Sequence, residues 1–156
     1  MLNMRVKGEG MSAKECWQRF GWGTEAKEGS TVLYYDLGDV EVFCDEMREE
    51  YNYIDGACFG CEIYDKSGDM VGQWFDDSYE SAILGAFVDS VGTDVLREED
   101  NCEDAVNGIA YEAYQAIHGE TPMFMMNVEE MGKLIAIARN YVKDNGKFYG
   151  IEWEEF

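Results

Sequence analysis

Residues 56–77, "GACFGCEIYDKSGDMVGQWFDD", decide the fold class of this 156-residue chain. The segment contains two runs rich in aromatic and β-branched residues, separated by the turn-forming residues KSGD at 66–69. Runs of this composition favour β-strands, and a short glycine-containing linker between them predicts a hairpin. We therefore expect an antiparallel sheet that includes this hairpin.

The same segment contains Cys58 and Cys61, the C-x-x-C spacing used by some metal and redox sites. In a strand over residues 57–64, positions three apart point to opposite faces, so Cys61 would join Phe59 and Ile63 while Cys58 faces the other way. A zinc site would need two further ligands, and a redox pair usually begins a helix. We interpret both residues as structural thiols and predict neither a metal nor another cofactor.

Outside the hairpin, candidate helix starts are marked by a capping residue with glutamate three positions later, and candidate ends by glycine. The predicted helices cover residues 12–20, 39–52, 77–91, 100–118 and 127–145, and the predicted strands cover 31–37, 57–64, 70–75, 121–126 and 147–153. The elements do not alternate strictly. This order favours an α+β fold, a small antiparallel sheet with four or five helices packed mainly on one face.

The length of the chain suits one domain, and no proline-rich or serine-rich linker interrupts it. We predict a single acidic globular domain over residues 1–156, with residues 1–11 frayed. No run of 18 apolar residues occurs, and five cysteines without a secretion signal favour reduced thiols. The sequence therefore predicts a cytoplasmic protein that does not bind membranes.

The charge of the chain is its most unusual property, a formal net charge of −21 from 33 acidic and 12 basic residues. Residues 31–120 contain 23 of the acidic residues and only three of the basic ones. A surface of this sign repels nucleic acid and anionic membranes, attracts basic proteins and speeds association with them.

The predicted helix over residues 39–52 would place Glu41, Asp45 and Glu49 in a row, because residues four apart lie about 6 Å from each other along a helix. Such a row resembles the regular phosphates of a nucleic-acid strand. Further acidic clusters occur at residues 76–80 and 98–104. The predicted partner-binding residues are Glu41, Asp45, Glu46, Glu49, Asp76, Asp77, Glu80, Glu98, Glu99, Asp100, Glu103 and Asp104.

Residues that could carry out chemistry are few. His118, the only histidine, falls in the last turn of a predicted helix, where an imidazolium interacts favourably with the helix dipole. The stretch beginning at Asp65 starts like a calcium loop but lacks the glycine at the sixth position and the glutamate at the twelfth. Known catalytic motifs are absent, so we predict no catalytic residues and no enzyme. The methionine-rich run 123–131 is interpreted as core, with an adaptable contact surface as the alternative.

These patterns lead to the hypothesis of a stoichiometric protein inhibitor. Its acidic surface would act as a DNA mimic and block the DNA- or RNA-binding groove of a basic nucleic-acid-binding protein. A CRISPR or restriction nuclease would be such a partner, as it is for phage inhibitors of host defence. The protein would bind neither nucleic acid nor membrane directly, and a homodimer could extend the acidic surface.

Two alternatives stay open. The protein could be an immunity protein or antitoxin, which would use an acidic face against a basic nuclease toxin. It could also be an enzyme or a small-molecule-binding protein whose acidity is incidental. A deep pocket with a few convergent polar groups would favour the last alternative.

Overall fold

The structure is a computed structural model that describes residues 2–22, 26–51, 56 and 58–156. Its contacts divide the chain into two units, Met1–Ala86 and Phe87–Phe156. The first unit contains a sheet and the second contains packed helices. Each unit is described by itself.

Five strands form one sheet in chain order, and every neighbouring pair is antiparallel. The sheet confirms the predicted α+β class. The strands are β1 (Glu9–Ser12), β2 (Thr31–Asp36), β3 (Val40–Glu46), β4 (Phe59–Asp65) and β5 (Met70–Asp76).

The predicted hairpin is confirmed, because β4 and β5 pair with each other. Asp65 closes its turn by accepting hydrogen bonds from the backbone N–H groups of Ser67 at 2.9 Å and Asp69 at 3.0 Å. Aspartate at the first position of a turn commonly makes such bonds. The stretch that began like a calcium loop is therefore a hairpin turn whose first carboxylate binds backbone amides.

The two hairpin cysteines lie in different surroundings. Cys61 is buried in β4 and lies opposite Cys44 of β3, whereas Cys58 precedes β4 and is half-buried. Phe59 and Ile63 share the face of Cys61, as predicted from strand alternation.

Helix α1 (Ala13–Phe20) begins as predicted, with the Ser12 hydroxyl accepting a hydrogen bond from the backbone N–H of Glu15 at 3.1 Å. It ends at Gly21, which has a φ of 70° that favours glycine. The helix covers one face of the sheet. The buried core there consists of Met11, Cys16, Ala26, Val32, Tyr34 and Phe43, with Phe20, Trp22 and Tyr64 packed against it.

Helix α2 (Tyr79–Glu98) begins on the opposite face of the sheet. The Tyr79 hydroxyl donates a hydrogen bond to the Thr31 carbonyl at 2.5 Å, and the Tyr79 ring lies 4.6 Å from the Phe59 ring. A methyl group at Gly85 would lie 2.0 Å from the Trp74 ring. Glycine at this position therefore lets the helix approach β5 closely.

The second unit contains the rest of α2, followed by α3 (Cys102–His118) and α4 (Val128–Asn145). Two short 3₁₀ helices, Met123–Met125 and Gly146–Tyr149, follow α3 and α4 respectively. The apolar stripe predicted for the third helix is buried as expected; its members are Cys102, Val106, Ile109, Ala113 and Ile117. Asn127 caps α4 as predicted, accepting a hydrogen bond from the backbone N–H of Glu130 at 2.9 Å.

Residues 39–52 do not form the predicted helix. Residues Val40–Glu46 are strand β3, and Glu49–Tyr51 is a single 3₁₀ turn. Both faces of β3 are covered, so consecutive positions such as Val42, Phe43 and Cys44 are buried. A strand buried on both faces lacks the alternation that identifies a strand, and its apolar residues can imitate a helical stripe.

Other boundaries also differ. Residues 9–11, predicted to be frayed, belong to β1, whereas 121–126 and 147–153 form no strand. Helix α2 continues through Gly92, where a methyl group would lie 2.2 Å from the Tyr141 ring. The caps of α2 and α3 are Ser78 and Asn101, one residue after the predicted Asp77 and Asp100. Within the described residues, no helix is long and apolar enough to cross a membrane.

Candidate functional site

The predicted row of charges over residues 39–52 does not exist. Glu41 and Asp45 lie on one face of β3 with Phe43 between them, about 13 Å apart along an extended strand. Glu41 accepts a hydrogen bond from the Tyr34 hydroxyl at 2.6 Å, and Asp45 is only 3% exposed. These two carboxylates belong to the interior of the sheet unit.

The buried carboxylates affect their neighbours. Burial, reinforced by the hydrogen bond to Glu41, raises the pKa of Tyr34. Burial and the nearby Asp45 raise the pKa of Cys16 to about 11. Glu62, on the same face, accepts hydrogen bonds from the Tyr64 hydroxyl and, at 2.9 Å, from Trp22 Nε1. This face of the sheet therefore combines aromatic rings with internally bonded carboxylates.

The other predicted residues of the first unit differ in exposure. Glu46 is half-buried and lies 3.2 Å from Lys27 Nζ, whereas Glu49 is exposed. Asp77 is exposed. Asp76 is half-buried and accepts hydrogen bonds from Trp74 Nε1 and the backbone N–H of Asp77, and Glu80 is half-buried in the first turn of α2.

A different arrangement holds where α2 ends and α3 begins. Five of the predicted residues, Glu98, Glu99, Asp100, Glu103 and Asp104, lie there, and we refer to them as the acidic corner. Four of them are exposed and Glu99 is half-buried. None of the five forms an ion pair with any residue that the structure describes.

The acidic corner borders a cleft of about 320 Å³ between α2 and α3. Asp94 and Glu112, which the sequence analysis did not select, line this cleft together with Glu98 and Glu99. The four-residue step from Asp94 to Glu98 is the sequence signal that could have indicated it. Along the chain, Arg97 is the basic residue nearest to the acidic corner, and its guanidinium lies 3.8 Å from the carboxylate of Asp94. No lysine or arginine occurs from residue 98 to residue 132.

The methionine-rich run after α3 is exposed, so its interpretation as core was wrong. Met123, Phe124, Met125 and Val128, which we call the apolar tip, are 65–88% exposed. The segment before the tip is held by Gln115 of α3 through two hydrogen bonds to the backbone of Thr121, at 2.6 and 2.8 Å. The backbone N–H of Asn127, in turn, donates to the Tyr114 hydroxyl at 2.9 Å.

His118 makes a tertiary contact in addition to lying at the end of α3. Its Nε2 is 2.5 Å from Glu130 Oε2 of α4, and both side chains are largely buried. The Tyr114 ring lies 4.5 Å from the imidazole. This contact joins the end of α3 to the start of α4, on either side of the apolar tip.

The five cysteines lie in the described part of the chain, and none forms a disulfide there. All five are free thiols, and no three His, Cys, Asp or Glu side chains converge as metal ligands would. Burial and a hydrogen bond with Cys44 raise the pKa of Cys61, which makes it a weak nucleophile.

The structure thus separates the twelve predicted residues into the internal pair Glu41 and Asp45, a group of mixed exposure at residues 46–49 and 76–80, and the exposed acidic corner. The corner is the one predicted cluster whose carboxylates largely face solvent and form no ion pair among the described residues. In comparisons with known proteins, no family model, curated protein or solved structure matches the chain.

Proposed function

We propose that the protein is a stoichiometric inhibitor that binds a basic nucleic-acid-binding protein through its acidic corner. The observation that carries the proposal is the exposure of these carboxylates in a stretch of 35 residues, 98–132, that contains no lysine or arginine. Electrostatic attraction would speed the encounter with a basic groove, and the bound corner would exclude nucleic acid from that groove.

Helix stability does not explain the whole corner. Glu103 and Asp104 lie in the first turn of α3, where the helix dipole stabilises negative charge. Glu98 is the last residue of α2, followed by Glu99 and Asp100, and a carboxylate near a helix C-terminus is disfavoured by the dipole. Acidic residues that cost local stability and remain exposed are expected where they contribute to binding.

The proposal differs from the hypothesis based on the sequence alone in the location of the surface. Carboxylates of β3 have partners inside the sheet unit, so they are not offered to a binding protein. The corner presents its charges from the last residue of α2, the two residues that follow it and the first turn of α3. The partner class stays the same, a nuclease or effector complex with a basic groove.

The proposal can be tested with two charge-matched triple variants. The first, Glu98→Lys with Asp100→Lys and Glu103→Lys, reverses the corner. The control, Asp69→Lys with Asp144→Lys and Glu152→Lys, makes the same change in net charge at exposed positions outside the corner. Each is assayed for competition with DNA on a panel of purified restriction endonucleases, CRISPR effector complexes and nuclease toxins.

We expect the wild-type protein to displace DNA from at least one member of the panel in a one-to-one complex. The corner variant should associate about 10- to 100-fold more slowly at low salt, and the difference should shrink as salt rises. The control variant should lose much less of its association rate. Equal losses for both variants would show that net charge, and not the corner, governs binding. Displacement limited to a nuclease toxin would favour the immunity-protein alternative.

A further inference from the structure

The apolar tip is an unusual feature of so acidic a chain. Phe124 is 88% exposed and Val128 is 86% exposed, and the methionines on either side of Phe124 are also exposed. Exposed apolar residues that stand singly are common, but a contiguous group of large ones often marks an interaction site. Methionine is well suited to such sites because its flexible side chain adapts to irregular surfaces.

The tip is held in position on both sides. Gln115 bonds both backbone polar groups of Thr121, and Tyr114 binds the backbone N–H of Asn127. A 3₁₀ turn lies between these points, with the backbone N–H of Met125 donating to the Pro122 carbonyl at 2.9 Å. A backbone fixed before binding loses less conformational entropy in a complex, so a preorganised apolar loop is an effective anchor.

The charges around the tip indicate what kind of molecule covers it. Glu120 and Glu129 flank the tip and are exposed, and Lys133, the next lysine along the chain, lies 3.8 Å from the carboxylate of Glu129. A second copy of this chain would bring two strongly acidic surfaces together, and an anionic membrane would be repelled. A protein with an apolar pocket rimmed by lysine or arginine complements both the tip and its rim.

The tip and the acidic corner lie near opposite ends of α3, whose 17 residues span about 25 Å. A standard interface covers about 800 Å² on each partner, which corresponds to a patch roughly 30 Å across. Exposed residues of α3 continue from the corner along the helix at helical spacing. They are Glu103, Asp104, Asn107, Tyr111 and Glu112.

We propose that the apolar tip is the anchor of the interface with the basic partner, inserting Phe124 and its neighbours into an apolar pocket rimmed by basic residues. This inference rests on the proposed function and adds a division of roles. The acidic corner attracts and orients the partner, and the tip sets the lifetime of the complex. Central apolar anchors typically contribute more to affinity than charged residues at the rim of an interface.

The experiment uses three fluorescent helical peptides of about 20 residues as probes, the size of a typical helix-in-groove ligand. The first has a narrow leucine stripe bordered on both sides by lysines. The second keeps the lysines but replaces each leucine with serine, and the third keeps the leucines but replaces each lysine with glutamine. Binding is measured by anisotropy on the full chain, the Phe124→Ser variant and the corner triple variant.

A matched control is Phe148→Ser, because Phe148 is 74% exposed in the same unit but lies outside the tip. Both phenylalanines are exposed, so neither substitution should change the thermal unfolding midpoint appreciably. We expect Phe124→Ser to lower the affinity for the leucine–lysine peptide about tenfold, mainly through faster dissociation. It should leave the lysine–serine peptide unchanged, and Phe148→Ser should affect neither.

Unchanged binding of the leucine–lysine peptide to Phe124→Ser would overturn the anchor. The lysine–serine peptide reports on the corner alone, so if it is insensitive to the corner variant, the proposed function fails independently of the tip. Sedimentation and flotation with zwitterionic and anionic vesicles complete the test. Self-association or vesicle binding that Phe124→Ser abolishes would assign the tip to a second copy or to a membrane and would also overturn the proposal.

Discussion

The acidic residues of β3 and those of the acidic corner are alike in sequence and differ in their surroundings. In β3, Glu41 is hydrogen-bonded to a tyrosine and Asp45 is buried. In the corner, Glu98, Asp100 and Glu103 are exposed and have no basic partner among the described residues. Carboxylate density along a chain therefore does not identify a binding surface, because the fold decides which carboxylates are available.

Charge reversal should also have different effects at the two locations. A buried carboxylate loses hydration and must recover it through hydrogen bonds within the protein, so its removal or reversal affects folding. An exposed carboxylate at the corner keeps its hydration and repels its neighbours, so its reversal should affect association far more than folding. Three measurements test this contrast between buried and exposed carboxylates.

The largest effect should come from reversing the same charge at the two places. Asp45→Lys puts an ammonium group into a buried site and should lower the free energy of unfolding by about 3–5 kcal/mol. Asp100→Lys should change it by less than about 0.5 kcal/mol, because the site is exposed. Urea unfolding of both variants measures the two values. Similar losses would mean that the corner is also part of the folded core.

A smaller effect should appear at alkaline pH. The Cys16 thiol, buried near Asp45, has a pKa of about 11 in the folded protein against an ordinary 9.0, and the Tyr79 pKa is about 12 against 10.0. Above pH 9 the unfolded chain releases protons that the folded chain keeps, so the stability must fall as pH rises. Cys16 alone should account for a loss of about 2 kcal/mol by pH 11.

Urea unfolding between pH 8 and pH 11 would measure this slope, with Cys16→Ala as the control. That variant should be less sensitive to alkaline pH than the wild type, whereas Asp100→Lys should leave the sensitivity caused by Cys16 intact. A slope that Cys16→Ala does not reduce would contradict the assignment of the effect to this thiol.

The smallest effect should follow the loss of one hydrogen bond. Glu41→Gln replaces the charged acceptor of the Tyr34 hydroxyl with a neutral one and should cost about 1 kcal/mol. Asp77→Asn, at an exposed position, should be close to neutral. Thermal unfolding of both variants measures the two changes in stability. A neutral Glu41→Gln would show that this bond adds nothing to the stability of the sheet.

The hairpin, most of the helices and five of the helix-terminal signals could be predicted because their signals are local. A Ser12 or Asn127 hydrogen bond to a nearby backbone N–H depends only on neighbouring residues. The same holds for Gly21 at the end of α1. Such elements are determined before any tertiary packing is considered.

The strand β3 could not be predicted in this way, because its pattern depends on what packs against it. With both faces covered, its apolar residues run through consecutive positions, and the helical period fits them as well as the strand period does. The prediction that α2 ends at Gly92 was wrong for a related reason. This residue is small because Tyr141 packs against α2 there, and not because the helix ends.

The candidate site was only partly predictable. The acidic corner was selected from its charge, but the cleft residues Asp94 and Glu112 come together only when α2 and α3 pack. The apolar tip was assigned to the core because methionine and phenylalanine are usually buried. Its exposure follows from the short span between Pro122 and Asn127, which leaves room for one 3₁₀ turn.

The absence of lysine and arginine from residues 98–132 has a practical consequence for finding the partner. Trypsin cuts after these residue types, so digestion after Arg97 and Lys133 releases one peptide that carries both the corner and the tip. Within this peptide, cross-linkers that react with amines could attack only the C-terminal Lys133. Reagents that couple carboxylates to the amines of a lysine-rich partner would instead label this peptide, and mass spectrometry could read the contact from one fragment.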